Sequence, residues 1–190
     1  MIKTYCYFAT LLSTLLLSCA TDIAEVDALT QSHNINIENG RKIKMLYSDS
    51  AQLKVRITAD SIVRYVEKAK PRDVFPSGIY IEFLSPKGKV SSWLEADEAV
   101  RSERDDTFIA RGNVRFYNNK KDKLLSTELI WDEAESILHT EKFVTVIQGA
   151  KGDTTYGYGF ESNEDFNIFE IKKSTSSIFK SEEFKKKFKD

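Results

Sequence analysis

The sequence predicts an all-β fold in which repeated hairpins form one continuous antiparallel sheet. Apolar and polar residues alternate at period two along most of the chain after residue 41, as they do in strands with one buried face. Short tracts rich in charged residues, Asn, Gly and Pro interrupt this alternation at hairpin spacing. No run before Ser181 carries the apolar period of a helix.

The first 18 residues have the organisation of a lipoprotein signal peptide. Lys3 supplies a positive start, and the apolar stretch from Tyr5 to Leu17 is shorter than the ~20 residues that span a bilayer. The stretch ends in Leu16-Leu17-Ser18-Cys19, which resembles a lipobox, so Cys19 is the predicted lipid-attachment residue. The alternatives are a secretory signal with an incidental Cys19 and a single membrane-spanning anchor.

Residues 19–40 are predicted to form the lipidated N-terminus and a flexible tether, because they are polar and weakly patterned. Ile35 and Ile37 alternate, which leaves a first edge strand as the alternative. The β-domain is placed at 41–180, followed by a charged tail at 181–190 that is interpreted as a frayed helix or disorder. Both cysteines of the chain lie in or at the end of the signal, so the β-domain is expected to fold without a disulfide.

Strands are predicted to begin near Lys42. The alternation is clean from Gln52 to Thr58, and β-branched and aromatic residues continue the strand character from Ile62 to Val66. Residues 67–77 are predicted to be a loop, because Pro71 and Pro76 cannot donate to a strand ladder. The next strand turns Ile79, Ile81 and Phe83 to one face and ends in a turn at 85–88.

The clearest hairpin runs from Val90 to Tyr117. Its first strand carries Leu94 on the apolar face, and a charged tract at 101–106 breaks the pattern. Its second strand alternates from Phe108 to Phe116. The pair Gly112-Asn113 inside that strand predicts a β-bulge or a bend, since glycine tolerates backbone angles that other residues avoid.

The remaining strands follow after a polar connection at 118–123. The alternation predicts one common face for Leu125, Thr127, Leu129 and Trp131. A turn at 132–136 leads to strand residues at 137–147. Tyr156, Tyr158 and Phe160 then alternate with two glycines, which mark a bend or a close backbone approach, and the last strands are placed at 166–179.

The hairpin unit recurs along the chain with a spacing of roughly 30 to 37 residues, the range of stacked supersecondary repeats. Each unit contains a short element of the Thr-Glu or Ala-Asp type that is followed later in the chain by an apolar run. An example is Leu94-Glu95-Ala96-Asp97, which precedes Gly112-Asn113-Val114. Because every unit is made of strands, the repeats predict a continuous sheet rather than a helical solenoid.

Several of these segments together resemble a known family. The string ARGNVRF after an L-x-A-D strand is similar to the OstA-like repeat of lipopolysaccharide transport proteins. The chain from about Lys44 to Phe179 resembles the LptC family in its Bacteroidetes-like lipoprotein form. The strings that carry this resemblance, in order, are FPSGIYIEF, WLEADEAV, ARGNVRFYN, LLSTELIWDE, HTEKFVTV and GYGFESNEDF.

The resemblance implies a twisted, partly open β-jellyroll, V-shaped in section, whose apolar interior groove accepts the acyl chains of lipopolysaccharide. It further implies strand-addition partners: an inner-membrane ABC transporter with an LptF/LptG-like jellyroll at the N-terminal edge, and an LptA-like bridge protein at the C-terminal edge. The expected location is the periplasmic side of the inner membrane, with the lipid anchor holding the protein there.

The apolar strand faces supply the candidate groove residues. A closed barrel or sandwich would bury the same side chains as ordinary core, and the pattern alone leaves both interpretations open. The candidates are Val55, Ile57, Ile79, Ile81, Phe83, Leu94, Phe108, Val114, Phe116, Leu129, Trp131, Val144, Val146 and Phe160.

Composition and spacing give no support for an enzyme, a cofactor or a metal site. The net charge is −1 with acidic and basic residues mixed, which disfavours nucleic acid as a partner. His33 and His139 have no neighbours at metal-ligand spacing, and the acidic pairs lie at strand ends and turns. We therefore expect a lipopolysaccharide transfer module without catalysis. The alternatives are a structural or assembly β-lipoprotein with a dry core and, less well supported, an OstA-like fragment of an outer-membrane assembly protein.

Overall fold

The computed structural model describes residues 37–67 and 70–178, with the backbone alone for 176–178. The predicted signal peptide, Cys19, the tether up to residue 36 and the tail at 181–190 lie outside the described residues. No helix with the length and hydropathy needed to cross a membrane occurs in the described ranges.

The described chain forms an 11-stranded sheet in which every pairing is antiparallel. The predicted all-β fold class is confirmed. The strands are β1 (Ile37–Asp49), β2 (Gln52–Tyr65), β3 (Arg72–Phe75), β4 (Ile79–Leu84), β5 (Val90–Ala96), β6 (Glu98–Ser102), β7 (Thr107–Asn118), β8 (Lys123–Asp132), β9 (Ile137–Gln148), β10 (Asp153–Asn163) and β11 (Phe169–Ile178).

The sheet runs from β1 at one edge to β11 at the other. β1 pairs with β2, and β2 pairs with β4 along its first half and with β3 along its second. β5 and β6 share the next position, and both pair with β7. From β7 to β11 each strand pairs with the strand that follows it in sequence. Repeated hairpins therefore build most of the sheet, as the sequence predicts.

The sheet folds over its own apolar face. Phe83 on β4 lies 5.1 Å from Trp131 on β8, measured between ring centroids. These strands are three steps apart in the sheet, which would separate them by about 14 Å if the sheet were flat. The contact across the fold is driven by burial of the apolar face, because hydrophobic stabilisation grows with the apolar area removed from water.

A line of irregular positions, which we call the crease, crosses the sheet near the middle of its strands. The amide of Gly78 donates to the carbonyl of Asp97 at 2.7 Å, and the amide of Asp97 donates to the carbonyl of Gly112 at 3.0 Å. Between β7 and β8 the register shifts between Arg111 and Val114, where Gly112 and Asn113 both have positive φ. This confirms the predicted bulge. The crease continues through residues 127–129, 141–142 and Gly159, so each strand bends at a matching level.

The first strand begins earlier than the sequence predicts. β1 starts at Ile37, whereas the tether was expected to reach residue 40, so the edge-strand alternative is correct for residues 37–40. These residues pair with residues 62–65 of β2, opposite a long strand that offers a complete row of partners. Pairing with β2 therefore outweighs the weak apolar pattern of this segment.

The predicted loop at 67–77 contains a strand. β3 occupies the four residues between Pro71 and Pro76, and it pairs with both β2 and β6. The prolines lie outside the strand, so neither removes a ladder hydrogen bond. Asp73 within β3 is fully buried, and Arg64 binds it through two hydrogen bonds of 2.7 and 3.0 Å.

Side chains of β8 and β10 face the opposite way from their predicted orientation. Leu125 is 36% exposed and Thr127 is exposed as well, whereas Leu124 is fully buried, because the irregularity between Ser126 and Ile130 shifts the alternation within β8. Tyr158 is 51% exposed while Phe160 is buried, because the pairing of β10 with β9 shifts at Gly159. Both errors arise at the crease, where period two fails.

Candidate functional site: the apolar interior

All fourteen residues predicted to line the interior lie in one apolar cluster, and none is more than 5% exposed. They come from seven strands, β2, β4, β5, β7, β8, β9 and β10. In this structure their own side chains fill the interior, and their assignment to lipid binding stays a prediction. The set comprises Val55, Ile57, Ile79, Ile81, Phe83, Leu94, Phe108, Val114, Phe116, Leu129, Trp131, Val144, Val146 and Phe160.

Aromatic rings form a connected chain through the interior. Phe108 contacts Trp131, and Phe83 lies between Trp131 and Phe116, with ring centroids 5.1 to 6.2 Å apart. The Phe83 contacts are edge-to-face, a favoured arrangement of aromatic pairs. Phe116 then stacks on Phe166 at 4.8 Å. The rings thus link β4, β7 and β8 to the loop between β10 and β11.

Sequence reasoning missed two fully buried phenylalanines. Phe75 lies in the short strand β3 and contacts Phe108 at 5.5 Å. Phe166 lies in the polar loop after β10, and it was expected to begin a strand. The residue type was a signal at each position, since Phe is among the residues most often found fully buried.

Two buried ion pairs hold strand ends near the interior. Arg101 on β6 binds Glu133 in the β8–β9 turn through hydrogen bonds of 2.7 and 2.8 Å, and the Glu133 side chain is 4% exposed. The hydrogen bond to Glu133 raises the pKa of Arg101, against the opposing effect of burial. The second pair is Arg64 with Asp73. The two-point geometry of Arg101 and Glu133 joins β6 to a turn with which it has no ladder, whereas Arg64 and Asp73 are cross-strand partners within the β2–β3 ladder.

A hollow of about 320 Å³ opens beside the interior, and we call it the Trp131 hollow. It is lined on one side by Tyr47, Lys54 and Val55, and on the other by Trp131 and Glu164, with further residues from the β8–β9 turn. The Trp131 indole donates to Glu164 Oε1 at 2.9 Å. Burial is the largest cause that raises the pKa of the Glu164 carboxyl.

A second depression, of about 340 Å³, lies along the crease and is lined by both polar and apolar residues. Its three acidic residues already have partners among the described residues. Lys42 binds Asp60 at 2.7 Å, Arg115 binds Glu95 at 2.5 Å, and the Asn113 amide donates to Asp97 at 2.6 Å. Their charges and acceptor oxygens are therefore engaged within the protein. In the described ranges no group of three or more His, Cys, Asp or Glu side chains is placed to hold a metal.

The outer face of β5 and β7 carries an aromatic pair rather than a reactive group. Trp93 stacks on Tyr117 with ring centroids 5.4 Å apart, and the Tyr117 hydroxyl donates to Glu95 Oε1 at 2.5 Å. Burial and this hydrogen bond raise the pKa of Tyr117 above its ordinary value. The phenol therefore stays neutral at physiological pH and acts as a fixed cross-strand contact.

No family model matches the chain, and no curated protein matches it. Among solved structures, it is similar to LptH of Pseudomonas aeruginosa, described as the LptA-homologous periplasmic component of the conserved lipopolysaccharide transport device. The identity is 12%, the match covers 76% of this chain and 87% of that chain, and the TM-score is 0.37.

Proposed function

We propose that this chain is a membrane-anchored, periplasmic component of the lipopolysaccharide export machinery, of the LptC type. In this role it binds lipopolysaccharide acyl chains in its apolar interior. It receives them from an inner-membrane ABC transporter and passes them to a periplasmic bridge protein. The chain carries no chemistry of its own in this proposal, and the transporter's ATP drives the movement.

One observation carries the proposal: a single apolar interior runs through a folded sheet that has two edges. The buried cluster is continuous from Val55 on β2 to Phe160 on β10. Each acyl methylene transferred from water into such an environment gains about 0.8 kcal/mol, so several chains have a strong tendency to enter. At the β1 edge Ile43 and Met45 are only partly buried beside a hollow of about 280 Å³, and at the β11 edge Phe169 and Ile171 are partly buried as well.

The two edges are the proposed partner surfaces. Among the described residues, β1 pairs with β2 alone and β11 pairs with β10 alone, so each has a second side available for strand addition. We assign β1 to the LptF/LptG-like jellyroll of the transporter and β11 to an LptA-like bridge protein. This assignment follows the order of the edges that the family resemblance implies.

The anchor in this proposal is a lipid on Cys19, placed at the periplasmic side of the inner membrane. The lipobox-like Leu16-Leu17-Ser18-Cys19 supports it. A tether between Cys19 and β1 of up to 17 residues would allow at most ~60 Å of reach when fully extended.

Photocrosslinking in cells tests the function. A photoreactive residue replaces Val114, which is 1% exposed and faces the interior, in the full-length chain. The matched control is Arg115, its neighbour, which is exposed on the opposite face. Illumination should give lipopolysaccharide adducts from position 114 and not from 115, and adducts should decrease when the transporter lacks ATP hydrolysis. Adducts from neither position, in a protein that folds normally, would exclude the interior as a lipid site.

The complete burial of the interior favours a second candidate function. A structural or assembly β-lipoprotein would keep the same residues as a dry core and use only its surface and edges for protein contacts. In the crosslinking experiment this protein would give protein adducts from β1 or β11 and no lipid adducts from position 114. Lipid adducts from position 114 therefore distinguish the two candidate functions.

A further inference from the structure

The loop between β10 and β11 crosses the apolar interior, and we call residues 164–168 the strap. Three side chains from other strands hold it. Ser92 on β5 donates to the carbonyl of Glu164, and Asn118 at the end of β7 donates to the carbonyl of Phe166 at 2.8 Å. Trp131 on β8 donates to the Glu164 carboxylate at 2.9 Å. None of these three strands pairs with β10 or β11 in the sheet. The hydrogen bonds that hold the strap therefore cross the fold in the sheet.

The strap inserts one aromatic side chain into the interior. Phe166 is fully buried, and its ring lies 4.8 Å from Phe116, 5.7 Å from Phe160 and 5.4 Å from Phe169. Its φ of 52° lies in the left-handed region, which is an outlier for a bulky residue. Backbone strain of this kind persists only where the surroundings impose it, and it is found where segments clamp or switch.

The attachment of the strap differs from that of the strands beside it. β10 and β11 are joined by a backbone ladder, whereas the strap is held across the interior by the three side-chain donors and locally by Asn163, whose side-chain oxygen accepts from the amides of Asn167 and Ile168. Ile168 on the same segment is 76% exposed, so an apolar side chain lies in water next to the buried ring. The Trp131 hollow reaches the strap from the other side through Glu164. The strap is thus a thin segment between an open hollow and the aromatic interior.

We infer that Phe166 occupies a binding site for one acyl chain, and that an incoming chain enters through the Trp131 hollow and displaces the strap. This inference rests on the proposed function, since it names the place where the interior opens. When a side chain of the protein itself occupies a binding site, the apparent affinity for the ligand is reduced in proportion to the fraction of molecules in which the site is free. The sealed interior described above is then the resting state of a lipid carrier.

A fluorescence experiment on the unaltered strap tests the displacement. Trp93→Phe leaves Trp131 as the one tryptophan of the full-length chain, because the sequence contains two. The probes are purified lipopolysaccharide and the same material with its acyl chains removed by hydrolysis. Acylated lipopolysaccharide should shift the Trp131 emission as the Glu164 contact is lost, and the deacylated form should not. Equal shifts from both forms, or none from either, would overturn the inference.

Two side-chain truncations test whether Phe166 occupies a lipid-binding site or is an ordinary core residue. Phe166→Ala should increase lipopolysaccharide affinity on the order of tenfold, because no side chain has to leave the site. Phe75→Ala removes an equally buried ring outside the fourteen predicted lipid-binding residues and should give no increase. Circular dichroism establishes that each variant is folded. If Phe166→Ala is folded and binds no more tightly than Phe75→Ala, the strap is a structural element only.

If Phe166→Ala does not fold, crosslinking in cells from a photoreactive phenylalanine analogue at position 166 tests the inference instead. Adducts from position 166 support the acyl-chain site. Adducts from Val114 without any from 166 leave the proposed function intact and overturn the strap as the entry. Adducts from neither position count against both. The failure of this inference is therefore distinguishable from failure of the proposed function.

Discussion

Glu164 is an acidic side chain whose environment favours its protonated form. Burial raises its pKa, and Asp165 adds to that effect, whereas hydrogen bonds from Trp131 and Ser136 and the charge of Lys54 oppose it. A carboxyl with a raised pKa in the folded state binds its proton more tightly when folded. Its contribution to stability is therefore fully present below the unfolded pKa of about 4.3 and is lost as pH rises through the folded pKa.

We expect the free energy of unfolding of the wild-type chain to fall more steeply with rising pH above about 4.3 than that of Glu164→Gln. Urea denaturation at a series of pH values measures the difference between the two curves. Glu141→Gln is the control with the opposite sign, because Lys172 lowers the pKa of Glu141, whose contribution is lost as pH falls. Parallel curves for wild type and Glu164→Gln would show that burial does not perturb this carboxyl.

Glycine is required at position 112 both by the backbone conformation and by the neighbouring Asp97 side chain. Its φ is +72°, and a Cβ at this position would lie 2.7 Å from Asp97 Oδ2 and 3.0 Å from Asp97 Cβ. Gly88 has a similar φ of +71° with nothing within 4 Å of the corresponding Cβ. We expect Gly88→Ala to cost about 1–2 kcal/mol of left-handed backbone strain, and Gly112→Ala about 1 kcal/mol or more beyond that.

Thermal and urea unfolding of the two glycine variants check this expectation. The comparison isolates the contact with Asp97, because both positions carry the same backbone strain. Equal losses in the two variants would mean that Asp97 moves aside at no cost, and that the crease adapts to an added methyl group.

The orientation of individual side chains could be predicted from the sequence wherever period two holds. Val114 and Phe116 are buried as expected, and the Gly112-Asn113 bulge between them and Ala110 was visible as two turn-forming residues inside a strand. Leu125 was misplaced because the irregularity next to it contains no glycine and leaves no local signal. The burial of Phe166 depends on donors more than 30 residues away, which no local pattern contains.

At the level of elements, the β8–β9 turn is joined to β6 by a buried ion pair rather than by a sheet ladder. Glu133→Gln would remove the nearest carboxylate from the Arg101 guanidinium, which is 19% exposed, and would leave Glu103 at 4.0 Å. Removing one partner of a buried pair typically costs 3–5 kcal/mol. Because Arg101 retains some solvent contact, we expect about 3 kcal/mol, at the low end of that range.

Chemical denaturation measures this loss, and Asp60→Asn is the control. Asp60 forms an ion pair with Lys42 that is open to solvent, with side chains 65% and 84% exposed, so its removal should change stability little. If Glu133→Gln is as mild as Asp60→Asn, the pair between the turn and β6 contributes no more than a surface contact.

Most elements could be predicted from the sequence, and β3 could not. Its four residues lie between two prolines, and short strands of this kind have no alternation long enough to detect. Its existence depends on β2 and β6, which pair with it from both sides. The early start of β1 has the same cause, because the length of β2 determines how many residues of its partner become strand.

For the molecule as a whole, the described sheet should fold without the segments that precede and follow it. Its buried cluster draws every member from residues 55–166. A fragment covering residues 37–178 should therefore give a far-ultraviolet circular dichroism spectrum of β-structure and one cooperative unfolding transition. A spectrum dominated by helix, or an unfolded fragment, would contradict this expectation.

Anchoring is tested separately from folding. Cys19→Ala should abolish incorporation of a radiolabelled fatty acid and release the protein from the membrane fraction. If the wild-type chain incorporates no label in cells that lipidate a known lipoprotein, Cys19 is not an attachment site.

The crease restricts what can attach to the edges of this sheet. Aggregation by stacking of flat strands requires long, straight and uniform edges. Here the edge strand β1 has Lys42 at a φ of 53° at mid-length, and on the opposite side the pairing of β11 with β10 shifts between residues 174 and 176 of β11. A straight foreign strand could therefore pair with only part of either edge. A partner strand that bends at the same position could pair along the whole edge. The geometry that closes the interior therefore also selects which partner strands can pair with β1 and β11.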